Sequence, residues 1–199
     1  MLKMCSIKRG GGRVMILYIK SCPREESRTD TLARALLERL GEYEEIDVVN
    51  EDLHPLNKDA LSFREAMIAQ GNYSSPMFKY AKQFAFADTI VIAAPFWDLS
   101  FPTALKTYIE NIYVTGLVTH CGEDERPHGM CKANKLYYVT TAGGPYDPSY
   151  SYEYIKALAT EHFGIKECEL IYADMLDLDS SDPEKIISDK IQEIQAMTL

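Results

Sequence analysis

The sequence predicts an α/β fold, a doubly wound five-stranded parallel sheet with helices on both faces. Two observations carry this. Short β-rich runs alternate with helical periodicities along the whole chain, the pattern of repeated right-handed βαβ crossovers. Several of those runs are apolar at consecutive rather than alternate positions, as strands covered on both faces are. Five such strands fit the order 2-1-3-4-5, the flavodoxin-like arrangement.

The elements follow in order. Val14 to Lys20 is a buried first strand. From Arg28 to Leu40, Leu32, Ala33, Leu36, Leu37 and Leu40 form one helical face, and Gly41 stops the helix. Tyr43 to Val49 is a more polar strand suited to a sheet edge. Asp59 to Gln70 reads as a helix before a turn at Gly71 and Asn72. Ser75 to Phe86 is a helix opened by Pro76. Asp88 to Ala94 is the clearest buried strand. The next helix begins near Pro102 and turns Ala104, Leu105, Tyr108, Ile109 and Ile112 inward. Val114 to Asn134 reads as irregular. Lys135 to Thr141 is a strand halted by Gly143, Gly144 and Pro145. Tyr150 to Phe163 is a helix ended by Gly164, and Cys168 to Ala173 is the fifth strand. The last helix opens at a capping box from Ser181 to Glu184, with Pro183 just inside. Its core face is Ile186, Ile187, Ile191 and Ile194.

Composition narrows the function. The 199 residues are 46% hydrophobic and 26% charged, an ordinary globular balance. A net charge of -9 argues against nucleic acid as a partner. No apolar run is long enough to span a bilayer. The basic N-terminus precedes only a short apolar run and lacks a cleavage site, so no targeting signal is read. Five cysteines without paired spacing imply free thiols in a reducing compartment, the cytoplasm. Residues 1–14 read as a disordered or extraneous extension, with Met15 a natural start and residues 15–199 one domain.

In an open parallel sheet, ligands bind beyond the carboxyl ends of the strands near the switch point. Three loops should meet there. The first, Ser21 to Thr29, ends at a helix start, where free amides and the helix dipole favour an anion. Ser27, Thr29 and Arg28 or Arg24 add donors and charge. The same residues also suit a plain N-cap and solvated arginines. The second loop, Pro95 to Ser100, holds Phe96 beside the one tryptophan, Trp97. These suit a flat aromatic ligand, or equally a core plug or an oligomer contact. The third, Thr141 to Tyr146, carries paired glycines whose backbone a ligand can approach closely, and whose amides can stabilise negative charge. A simple turn would also use them. No G-x-G-x-x-G follows the first strand and no Walker A motif is present, which counts against dinucleotide-fold and P-loop readings.

Taken together, these stretches resemble the FMN-dependent NAD(P)H:quinone reductase and azoreductase family. The resemblance rests on Lys20-Ser21-Cys22 with Ser27-Arg28-Thr29, on Ile90 to Asn111 (IVIAAPFWDLSFPTALKTYIEN), and on Val139 to Gly144 (VTTAGG). It runs in order from about Val14 to the C-terminus. It implies that Ser27, Arg28 and Thr29 hold the FMN phosphate with Cys22 nearby. Pro95, Phe96, Trp97, Asp98 and Leu99 would line the flavin ring, and Thr141, Ala142, Gly143 and Gly144 would meet its other edge. Tyr146 is the expected substrate-pocket residue. The resemblance also implies a homodimer with sites at the subunit interface, and ping-pong hydride transfer from NADH or NADPH through flavin N5 to a small-molecule acceptor. The flavin carries the chemistry, so no side chain is expected to be an essential catalyst. The chain departs from the family pattern at three places. Cys22 stands where serine is common, Trp97-Asp98 where tyrosine-asparagine is, and Ala142 where some relatives have arginine.

Three other readings fit parts of the chain. Cys22, Arg28 and Thr29 form the C-x5-R-T of low-molecular-weight tyrosine phosphatases, with Asp147 as their acid. The intervening Pro-Arg-Glu-Glu-Ser lacks the glycines such a loop needs and adds two repelling carboxylates. A non-catalytic flavodoxin-like electron carrier is the second, though short flavodoxins lack the 113–134 segment. Zinc at His120, Cys121, His128 and Cys131 is the third. Their spacing matches no standard ligand set, so no metal is expected.

Overall fold

The computed structural model describes residues 14–199. Of the extension expected at residues 1–14, all but Val14 lies outside the described residues. Five strands form one parallel sheet: β1 (Ile16–Lys20), β2 (Tyr43–Asp47), β3 (Thr89–Ala93), β6 (Lys135–Thr141) and β7 (Glu167–Ala173). A separate antiparallel pair, β4 (Thr119–Cys121) and β5 (Pro127–Gly129), sits between β3 and β6 in the chain. The sheet order is β2-β1-β3-β6-β7, the predicted 2-1-3-4-5 with the small hairpin set aside.

Alternation within each strand feeds two cores. On one face Leu17, Ile19, Ile90, Ile92, Leu136 and Tyr138 pack under α3 (Lys79–Phe86), α4 (Thr103–Ile112) and α5 (Tyr152–Ala157). On the other, Tyr18, Val91, Ala93, Tyr137 and Val139 meet α1 (Arg28–Leu40) and α6 (Pro183–Ala196). Each strand side chain removed from water adds roughly 1.5–3 kcal/mol, so the sheet register is fixed by burial on both sides.

The differences from the sequence expectation are local. β1 starts at Ile16, because Val14 is exposed and the Met15 amide donates to the Asp88 carboxylate at 2.8 Å. The helix expected over 75–86 opens as one 3-10 turn, Pro76–Phe78, before α3. The 114–134 segment is not irregular throughout. Its β4–β5 hairpin docks on the Leu158–Phe163 segment that follows α5, with the Cys131 amide donating to Phe163 O at 3.2 Å. A Cβ on Gly129 would lie 2.0 Å from the Gly164 nitrogen, so only glycine allows that approach. The helix expected over 150–163 continues past Ala157 with π-type bonding over Leu158–Phe163. It ends at Gly164, which is left-handed at φ 79. The α6 cap is Asp182 rather than Ser181. Asp182 accepts from the Lys185 amide at 3.0 Å, while the Ser181 hydroxyl donates to Leu178 O. Of the expected α6 face, Ile194 is fully buried, and Ile186, Ile187 and Ile191 pack against it half-exposed. The helix α2 (Lys58–Ala69), capped by Asn57, buries none of its residues.

Candidate functional site

The loops after β1, β3 and β6 converge at the carboxyl edge of the sheet around one cleft of ≈ 1070 Å³. That is ample for a cofactor-sized ligand. The first wall comes from the start of α1. Ser27 has extended backbone and caps the helix, accepting from the Asp30 amide at 3.4 Å. The amides of Arg28 and Thr29 precede the helical hydrogen-bonding pattern and point out of the first turn. Together with the helix dipole they favour an anion. The Thr29 and Thr141 hydroxyls lie 2.6 Å apart, both buried, and tie this wall to the loop after β6.

Asp30 places a carboxylate in the same first turn, and the fold neutralises it. Tyr18 donates to it at 2.5 Å and Arg34 Nε at 3.0 Å. Burial, then the hydrogen bond to Asp30, pushes the Tyr18 phenol far above its ordinary value. Arg34 also reaches Glu45 on β2 at 3.2 Å. This network fastens α1 to the sheet edge and uses up the Arg34 charge. Two cleft-lining arginines remain. Arg24 lies 5.7 Å over the Trp97 ring, and Arg28 bonds Asp177 at 2.7 Å.

The aromatic wall is a tight hairpin turn. Trp97 N donates to Ser100 O at 2.9 Å, and Ser100 N to Trp97 O at 2.8 Å. Between them Asp98 and Leu99 are both left-handed, at φ 51 and 60. That is a type I′ geometry, which normally asks for Asn-Gly. Pro95, Phe96, Trp97 and Asp98 line the cleft. Leu99 does not; its side chain is 60% exposed at the turn tip. The third wall is Thr141, Ala142 and Gly143, with Gly144 just behind the cleft lining.

Two further expected site residues lie outside the cleft lining. Cys22 does not border the cleft. Its thiol is buried against the second core and points at Ala93 O, 3.7 Å away. Burial, partly opposed by the Ser27 hydroxyl, pushes it up to about 11. A thiol so placed is no phosphatase nucleophile, which removes the physical basis of that reading. Tyr146 also lies outside the cleft lining. Its ring packs edge-on against Phe96 at 5.0 Å, and its hydroxyl is 3.0 Å from Ser151. It supports the aromatic wall from behind. In the hairpin, the His120 and His128 rings face each other at 5.4 Å, and His128 bonds Asp124 at 2.9 Å. Among the described residues no group of three His, Cys, Asp or Glu side chains comes together to hold a metal.

Sequence reasoning missed a fourth contributor. Leu176 and Asp177, after β7, complete the cleft. The signal was available, since this loop also leaves a carboxyl strand end. It lacked the glycines and aromatics that marked the others.

The comparisons agree with this geometry. Residues 15–197 match the family model described as the flavodoxin-like fold. An FMN-dependent NADH:quinone oxidoreductase of Coprothermobacter proteolyticus is 31% identical over 195 residues, covering 92% of this chain and 96% of that protein. A second, from Clostridium acetobutylicum, is 34% identical over 191 residues, 89% and 94% of the two chains. An azoreductase from Bacillus anthracis superimposes with a TM-score of 0.78 at 21% identity, over 92% of this chain and 98% of that one.

Proposed function

Because the chain belongs to the family of FMN-dependent NADH:quinone oxidoreductases with the flavodoxin-like fold, we propose that it holds FMN in this cleft. There it carries a hydride from NADH or NADPH to a quinone-like or azo-like acceptor. The observation that carries the reading is the meeting, in one cleft, of a helix start with outward amides, an aromatic hairpin and the Thr141–Gly143 backbone.

The residues fit the cofactor. The amides of Arg28 and Thr29 and the Arg28 guanidinium receive the phosphate, with Ser27 holding the turn in shape. Phe96 and Trp97 would lie along the ring, and the backbone of Thr141, Ala142 and Gly143 would meet its far edge. FMN bound there supplies the redox chemistry, accepting from the nicotinamide and passing on to the acceptor by a ping-pong route. The protein's part is to bind, orient and tune. Ala142 leaves that edge without a cationic side chain, and Asp98 adds a carboxylate at the turn, so the surroundings favour an acceptor that needs no anion contact. The cleft is open, so the acceptor's proton comes from bulk water.

The reading includes a homodimer. Helix α2 has no fully buried residue: Met67 and Ile68 lie half-buried on the first core, while Leu61 and Phe63 face solvent, an apolar surface that a second copy would cover. The four described cysteines are free, and no helix among the described residues is long and apolar enough to cross a membrane. Both fit residence in the cytoplasm.

The test is to incubate the purified protein with excess FMN, desalt it and record its absorbance. Retained flavin at about one per chain supports the reading, and a colourless protein overturns it. Steady NADH or NADPH consumption with a benzoquinone separates an enzyme from a carrier.

A further inference from the structure

The cation placed to receive the phosphate is already engaged by the protein's own carboxylate. Asp177 follows β7, and its amide donates to Gly143 O at 2.9 Å. The side chain lies so close over Gly143 that a Cβ there would meet Asp177 Oδ2 at 2.4 Å. The backbone therefore fixes this carboxylate against the third wall, and from there it takes Arg28 Nη1 at 2.7 Å. The other cleft arginines are committed elsewhere, Arg34 to Asp30 and Glu45, and Arg24 to the Trp97 ring. Glu25 and Glu26 also line the cleft, so no surplus positive charge waits there.

We propose that Asp177 is a resident anion that holds Arg28 until a phosphate displaces it, and that this competition weakens the site's hold on FMN while leaving riboflavin unaffected. The proposal rests on the FMN reading above. A neutral ribityl end makes no claim on Arg28 and leaves the pair with Asp177 in place. A phosphate brings up to two charges and three acceptor oxygens and also engages the outward amides of α1. The Arg28 and Asp177 side chains are 44% and 64% exposed, so the pair is weak enough to be exchanged.

Asparagine at 177 keeps the backbone bond to Gly143 and removes the charge. Kd values for FMN and riboflavin, read by quenching of flavin fluorescence, are compared in wild type, Asp177→Asn, Arg28→Ala and the double variant. Asp177→Asn is expected to bind FMN about fivefold tighter, the size of one exposed ion pair, and riboflavin unchanged. In the Arg28→Ala background most of that gain should vanish. Equal tightening for FMN and riboflavin, or no tightening for FMN, overturns the role of Asp177. Wild-type protein that binds neither flavin overturns the cofactor reading itself.

Discussion

Leu99→Gly separates what the aromatic hairpin costs from what it does. Leu99 sits at φ 60 in a two-residue turn whose geometry suits glycine. A left-handed conformation costs a side chain with a Cβ about 1–2 kcal/mol. Glycine removes that strain but gives back about 0.5–1 kcal/mol through the greater freedom of the unfolded chain. Because the Leu99 side chain is 60% exposed, little burial is lost. The net expectation for flavin-free protein is a gain of about 0.5–1 kcal/mol, or a Tm rise of about 1–4 °C at this chain length. Leu99→Ala keeps the strain, loses the same side chain, and should change stability by less than about 0.5 kcal/mol. Because Leu99 lies at the turn tip outside the cleft lining, both variants should bind FMN as wild type does. Thermal denaturation of the apo forms and FMN titration of all three read both effects. Stability equal in the Gly and Ala variants would refute the strain argument, and FMN affinity weakened in both would refute the placement of Leu99 outside the cleft.

Other consequences can be checked separately. Thr141→Val removes the partner of the buried Thr29 hydroxyl and should cost about 1–3 kcal/mol in urea denaturation; a neutral result would mean that water replaces it. Gly129→Ala drives a Cβ into the Gly164 backbone, so the β4–β5 hairpin should detach and become open to limited proteolysis while the main sheet persists. With its thiol buried and pushed up to about 11, Cys22 should resist iodoacetamide at pH 8, whereas exposed Cys121 reacts; peptide mapping that finds Cys22 modified as fast as Cys121 would contradict its placement.

The parallel sheet and its order were readable because every central strand is buried on both faces, leaving an unbroken apolar run such as Ile90 to Ala94. The ends of elements were less so. Ser181 and Asp182 are both good caps, and only the three-dimensional path shows that the serine hydroxyl turns back to Leu178 O while the aspartate takes the Lys185 amide. The β4–β5 hairpin was hidden because its strands are three residues each and mostly exposed, so periodicity has nothing to act on. Within the site, loop residues chosen for their chemistry (Arg28, Trp97, Gly143) fell on the cleft, since strand ends fix where loops meet. Cys22 was misplaced because alternation after β1 turns it into the second core, a one-residue matter of facing that composition does not reveal. Asp177 was missed because the loop after β7, although it too leaves a carboxyl strand end, carries no glycine or aromatic residue to mark it.

The most direct test of the central claim is an anaerobic titration of FMN-reconstituted protein with NADH or NADPH, followed by a benzoquinone. The account predicts that the flavin absorbance bleaches with about one equivalent of nicotinamide and returns in full on adding the quinone. Bound flavin that neither nucleotide bleaches would contradict it, leaving a flavin-binding protein that does not turn over.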